Sequence, residues 1–196
     1  MRIVLASSSP SRKKLLCDAG VQPVIDPADI DEDAVFSTCS HLPPEQQVAV
    51  LAENKARAVA GRHPGDVIIG GDSMLLINGV LQGKPKTVET TIERWKNQRG
   101  TTAVLHTGHC IIGPQGQTVT RTSSTTIRFG NVSDADIAAY ARSKEPLWCA
   151  GAFTLEAIGG WFIDSIEGDP SGVIGLSLPL VRKALYSMGL DVCDFF

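Results

Sequence analysis

"RIVLASSSPSRKKLLCDAGVQPVI", residues 2 to 25, holds two apolar runs separated by a polar stretch of helical character. "RIVLA" reads as a strand, "PSRKKLLCDAG" as a helix stopped by Gly20, and "VQPVI" as a second strand. Strand, helix and strand in succession indicate α/β layering. Ser9 is a good N-cap and Pro10 a good first helical residue. The serine loop therefore sits at the positive end of a helix dipole, beside backbone N–H groups that have no helical partner. Two readings follow: an anion site, or a capped surface helix with solvated cations. Arg12 precedes Leu15 and Leu16 by three and four residues and shares their stripe, whereas Lys14 points away from it. Arg12, rather than Lys13 or Lys14, is the candidate phosphate contact.

Downstream, an acidic loop "DPADIDEDAV" (26–35) leads to the amphipathic helix "PPEQQVAVLAENKARAVAGR" (43–62), which opens on proline and closes near glycine. Two apolar runs follow in "DVIIGGDSMLLING" (66–79), interrupted by Gly70, Gly71, Asp72 and Ser73. Asn78-Gly79 is a hairpin signal that returns "VLQGKP" beside the preceding strand. "TVETTIERWKNQRG" (87–100) is predicted helical. "TAVLHTGHCIIG" (102–113) and "QTVTRTSSTTIRFG" (117–130) make a second, long hairpin around Pro114-Gln115-Gly116. "SDADIAAYARSK" (133–144) is a helix capped by Ser133, "GWFIDSIEG" (160–168) is strand-like, and "LPLVRKALYSMG" (178–189) is the last helix. Hairpins alongside helices favour a mixed sheet over a purely parallel one.

The 196 residues suffice for one functional unit with a sizeable core, 1–196, built either as one body or as two lobes. A 43% hydrophobic and 20% charged composition is that of a globular protein, and the net charge of −3 argues against coating a nucleic-acid polymer. The five cysteines, at 17, 39, 110, 149 and 193, contain no CxxC pair and read as reduced thiols. No signal segment or run of about 20 apolar residues is present, so no membrane partner is expected and the cytoplasm follows by default.

Three further positions break their local pattern. Lys55 lies on the apolar face formed by Val48, Leu51, Ala52 and Val59, where it either snorkels to water or holds an anion. Asp72 follows a glycine pair, where a strand can bulge; it is a turn residue or a desolvated carboxylate suited to a metal or a proton. Glu32, in "DIDED", is either a second carboxylate for the same chemistry or a charge of a solvated acidic loop. Lys84 follows Gly83, but only three residues separate Gly79 from Gly83 and Pro85 follows the lysine, which excludes a Walker A loop. His106 and His109 are three apart on a strand and face opposite sides, so they are not a metal pair.

The motifs "LASSSPSRKKLL", "LAENKA", "GGDSM", "GKP", "HTGH", "SDADIAAY", "CAGAF" and "GLSLPL" occur in the order found in the Maf family of nucleoside triphosphate pyrophosphatases, and the chain resembles that family over nearly its whole length. The resemblance implies an α/β fold with an elongated mixed sheet flanked by helices, two lobes around a central cleft, and a homodimer. It implies hydrolysis of nucleoside triphosphates between the α- and β-phosphates, giving the monophosphate and pyrophosphate with a divalent cation, Mg²⁺ or Mn²⁺. Ser7 and Arg12 would bind the triphosphate, Lys55 and Lys84 would neutralise it, Asp72 would be the base or metal ligand, and Glu32 would share the metal. Ser11 stands where many members carry the first of two arginines, and "GLSLPL" is two residues longer than the usual "GLPL". A family link to septum formation and division arrest leaves a nucleotide-sensing regulator as the alternative function.

The resemblance also bears on the base. A branch preferring thymidine and uridine triphosphates carries glutamine where "AGAFTLE" places Glu156. Another branch, favouring 7-methylguanosine triphosphate, resembles this chain in its glutamate. An ionised glutamate only accepts hydrogen bonds, which suits the N1–H and N2–H₂ donors of guanine. Trp148 either stacks on that base or belongs to the core, and the core is the expected place for it.

Overall fold

The computed structural model describes residues 1–196. Ile3, Val4 and Leu5 form strand β1 (Ile3–Leu5), every residue of which is buried. β1 pairs in parallel with β2 (Val24–Ile25) on one side and β3 (Val67–Ile77) on the other. Parallel strands covered on both faces need apolar side chains at consecutive positions, which accounts for runs such as "IVLA" and "VII". Ile3, Leu5, Val67 and Ile69 feed one apolar cluster, and Val4, Ala6 and Ile68 feed another.

Four more strands complete the sheet: β4 (Val80–Gln82), β5 (Thr102–Ile112), β6 (Thr118–Phe129) and β7 (Ile163–Glu167). The order is β2-β1-β3-β5-β6-β7, with β4 paired to β3. β3 with β4 and β6 with β7 are antiparallel, so the sheet is mixed, as the hairpin signals require. Asn78 and Gly79, at φ 50° and 77°, make the tight turn that pairs Ile77 with Val80.

The helices are α1 (Pro10–Asp18), α2 (Glu32–Cys39), α3 (Pro44–Ala60), α4 (Val88–Gln98), α5 (Asp134–Arg142), α6 (Pro170–Ile174) and α7 (Leu178–Ser187). Ser9 caps α1, its hydroxyl accepting from Arg12 N at 3.4 Å, and Ser133 caps α5 in the same way. Three expectations need correction. "DIDED" is not all loop: Asp31 accepts from Ala34 N at 2.9 Å, and Glu32 and Asp33 open α2, where negative charge meets the positive helix end. "VQPVI" yields only two strand residues, since Pro23 has no N–H to pair. "GWFIDSIEG" begins in the 3₁₀ turn Ile158–Phe162 before β7.

The chain forms two compact units. The first comprises residues 1–72, 107–123 and 175–196, and the second residues 73–106 and 124–174. In the first, α3 packs its small residues directly on β3: a Cβ on Gly70 would lie 2.1 Å from the Ala52 carbonyl oxygen and 2.8 Å from Ala56 N. The glycine pair therefore marks a close helix–strand approach and leaves β3 continuous through Asp72, without the bulge expected from sequence. Gly70→Ala is expected to cost at least about 2 kcal/mol of stability, because backbone on both sides has nowhere to move; urea unfolding checks this. In the second unit, Trp95 lies at the centre of the core, edge-on to Phe129, Tyr140 and Phe162 at 5.5–5.7 Å.

Candidate active site

Ser7, Arg12, Glu32, Lys55 and Asp72 all belong to the first unit; Lys84 and Glu156 belong to the second. Side-chain alternation along β3 explains the first group. Gly70 faces α3, Gly71 faces Arg12, and Asp72 faces α3 again, where Lys55 stands. Lys55 does not snorkel. Its residue is 8% exposed, and its Nζ donates to Asp72 Oδ1 at 2.7 Å and lies 2.9 Å from Glu32 Oε1. One buried ammonium thus holds two carboxylates, one from β3 and one from the first turn of α2.

Arg12 is equally buried, at 7% exposure. Its Nε donates to the Gly175 carbonyl at 2.7 Å and its Nη1 to Ser7 Oγ at 3.1 Å. Ser7 Oγ also accepts from Ser9 N at 3.2 Å, which ties the serine loop to the guanidinium. A Cβ on Gly71 would lie 3.2 Å from Arg12 Nε, so this glycine gives the guanidinium room to lie over the strand. Burial pulls the Arg12 pKa below its ordinary value, while the charges of Asp72 and Glu32 act in the opposite direction. Lys13 is exposed, and Lys14 pairs with Asp18 at 2.5 Å, one turn along α1.

Two supports were not foreseen from sequence. Gly175, which opens "GLSLPL", supplies the carbonyl that orients Arg12. The longer form of that motif is absorbed by a helix start: Ser177 caps α7 through Leu180 N at 3.2 Å, and its own N–H donates to buried His109 Nε2 at 2.7 Å. His109 therefore serves a helix terminus, with Nε2 as an acceptor.

In the second unit, Lys84 is exposed on a strap fixed at three points. Gly83 O accepts from Arg94 Nη1 at 2.6 Å and from Gly151 N at 3.3 Å, and Lys86 N donates to Leu147 O at 3.0 Å. These bonds bring Lys84 near the segment 147–151. Burial, together with Glu156 and Glu145, pushes the Cys149 thiol up to about 11, against the opposing charge of Lys84. Cys149 is thus an unreactive thiol that marks the common neighbourhood of Lys84 and Glu156. Trp148 corrects the expectation of a core residue, being 64% exposed beside this neighbourhood. A tryptophan between Leu147 and Cys149 reads as core by composition, and only the turn Glu145–Trp148 sends it outward.

No group of three or more His, Cys, Asp and Glu is arranged to hold a metal. Glu32 and Asp72 nevertheless fit a hard divalent cation in one respect: both already present carboxylate oxygen to a single positive centre, the Lys55 ammonium. Mg²⁺ commonly uses one or two carboxylates and completes its shell with water and substrate phosphate.

A serine loop at a helix N-terminus, a buried guanidinium, and a buried ammonium shared by two carboxylates define a site suited to a phosphorylated anion. The model of the family described as Maf-like protein matches residues 2–188, and the chain belongs to that family. A protein of Corynebacterium diphtheriae named nucleoside triphosphate pyrophosphatase is 64% identical over 196 residues, covering all of this chain and 98% of its own length. A protein of the same name from Mycobacterium sp. (strain JLS) is 44% identical over 201 residues, covering 97% of this chain and 96% of its own. Among solved structures, the Ham1 protein of Staphylococcus aureus is similar at a TM-score of 0.41 and 18% identity, over 67% of this chain and 73% of its own.

Proposed function

We propose that the chain is a nucleoside triphosphate pyrophosphatase that adds water across the α–β phosphoanhydride and releases a nucleoside monophosphate and pyrophosphate. The observation that carries this reading is the Lys55 ammonium held 2.7 Å from Asp72 and 2.9 Å from Glu32, two carboxylates whose charges also act on the buried Arg12. Family membership and the names of the relatives support it.

In this reading Asp72 takes the proton of the attacking water as its oxygen bonds to the α-phosphorus, and the β-phosphate oxygen departs with the electrons of the broken bond. Arg12 and Ser7 fix the triphosphate, and Lys55 and Lys84 offset its charge. A divalent cation, Mg²⁺ or Mn²⁺, held by Glu32 and Asp72 would polarise the phosphoryl oxygens and offset the charge of the leaving group. Glu156 accepts from the base, and the exposed Trp148 ring stacks on it. The same reading treats residues 1–196 as one functional unit and makes the protein a cytoplasmic homodimer without a nucleic-acid or membrane partner. No helix is long and apolar enough to cross a membrane.

Pyrophosphate release measured over a panel of triphosphates tests the activity. Turnover is expected; tight nucleotide binding without turnover would favour the nucleotide-sensing regulator. The base assignment has its own test. Wild type is expected to prefer guanine-type over thymidine triphosphate, and Glu156→Gln to move the ratio of kcat/KM about tenfold toward thymidine, because the amide can both donate and accept. An unchanged ratio would remove Glu156 from base recognition.

A further inference from the structure

Glu145 has no part in the chemistry above, yet it is the most heavily hydrogen-bonded carboxylate of the second unit. Its Oε1 accepts from Thr154 Oγ1 at 2.5 Å, from Gly159 N at 3.0 Å and from the Tyr140 hydroxyl at 3.2 Å. Its Oε2 accepts from Ile158 N at 3.2 Å. A carboxylate offers about four acceptor positions; here three donors share Oε1 and one meets Oε2. Burial alone would push its pKa up; the bonds from Thr154, Gly159, Ile158 and Tyr140 outweigh that and hold it below the ordinary carboxylate range.

Three of the four donors come from the two ends of one short segment. Thr154 opens it, Ile158 and Gly159 close it, and Glu156 stands exposed between them. The closure is tight. Gly159 N also reaches Thr154 Oγ1 at 3.3 Å, and a Cβ on Gly159 would lie 2.5 Å from both Thr154 O and the Tyr140 hydroxyl oxygen. Tyr140 accepts from Thr154 N at 3.1 Å and is anchored in the core against Trp95 and Phe162. The loop is therefore fastened by two side chains, Tyr140 on α5 and Glu145 in the turn that follows it, and of the two Glu145 is the one bonded to both ends.

We propose that Glu145 is a positioning residue for base selection, holding both ends of the 154–159 loop so that Glu156 meets the base at a fixed place. This rests on the reading of Glu156 as the base contact. Glu145 itself touches no substrate and moves no proton. Its effect is on the entropy of Glu156: a carboxylate on a fixed loop discriminates donors by geometry, whereas one on a mobile loop loses that discrimination before it loses binding.

The test compares kcat/KM for guanosine and thymidine triphosphates in wild type, Glu145→Gln, Thr154→Val and Glu156→Gln, with folding checked by circular dichroism and thermal melting. In Glu145→Gln the amide nitrogen meets the Ile158 N–H donor to donor, so one end of the loop is released while the Thr154 end can be kept. The selectivity ratio is expected to fall about tenfold toward unity, through KM for the preferred base, with its kcat within about threefold of wild type. Thr154→Val keeps the side-chain shape, removes the 2.5 Å bond, and is expected to shift the ratio in the same direction. If Glu145→Gln does not fold, Thr154→Val decides. A ratio unchanged in the folded loop variants but shifted in Glu156→Gln would overturn the positioning role and leave the base assignment standing. A ratio unchanged in Glu156→Gln would instead show that the base assignment had failed, and the positioning role with it.

Discussion

Asp72→Asn is expected to lower kcat for pyrophosphate release by at least about 100-fold while the protein stays folded. The amide keeps the shape of the side chain but loses the negative charge and nearly all basicity, so neither a water proton nor a hard cation finds its partner there. The structural cost is limited. Truncating one member of a buried ion pair commonly costs about 3–5 kcal/mol, because the other charge is left stranded. Here Lys55 keeps Glu32 at 2.9 Å, whose side chain is 54% exposed and free to follow it. The amide oxygen of the new asparagine can also still accept from Lys55. Thermal melting should therefore show a folded protein with a modestly lowered Tm, and single-turnover kinetics should place the loss in the chemical step. Near-normal turnover in the folded variant would remove Asp72 from the mechanism, whatever its contacts.

How much of this site could be read from the sequence depended on whether a residue broke a local period. Arg12 and Lys55 stood out because each is a cation on an apolar helical stripe, and both are buried. Asp72 stood out because it interrupts an apolar run. The reason for Gly70 and Gly71 did not show, since a close helix approach and a bulge leave the same pair of letters; the Ala52 carbonyl that excludes a Cβ comes from 18 residues upstream. Glu32 shows in the sequence as a candidate carboxylate, but the helix that carries it does not: Asp31 is an ordinary N-cap, yet α2 buries only Cys39 and has almost no apolar stripe to betray it. Glu145 carries no signal, and Gly175 shows only as the first residue of "GLSLPL", with nothing to pair it with Arg12. Their roles rest on bonds spanning from 5 to 14 residues for Glu145 and 163 for Gly175, and no periodicity reports such pairings. The parallel strands were legible for the opposite reason: burial on both faces writes itself as consecutive apolar residues.

Excess chelator is expected to stop pyrophosphate release, and added Mg²⁺ or Mn²⁺ to restore it. The cluster around Lys55 contains two cations, Arg12 and Lys55, and two carboxylates, Glu32 and Asp72, so it is formally neutral as a group. A neutral cluster cannot offset a triphosphate whose anhydride oxygen gains further charge as the bond breaks, and the exposed Lys84 adds one screened charge at most. Glu32 and Asp72 are the residues that would hold a divalent cation, whose charge would supply the deficit. Glu32→Gln separates this from a purely structural need for metal. It removes one of two carboxylates while leaving Asp72 in place, and should raise the metal concentration for half-maximal activity about tenfold with a smaller change in kcat at saturating metal. The metal dependence can also be followed without turnover, as a metal-induced rise in Tm that shrinks in Glu32→Gln and disappears when Asp72 is replaced as well. Full activity in chelator would mean that Arg12, Lys55 and Lys84 together suffice, and that the two carboxylates serve to hold the ammonium rather than a metal.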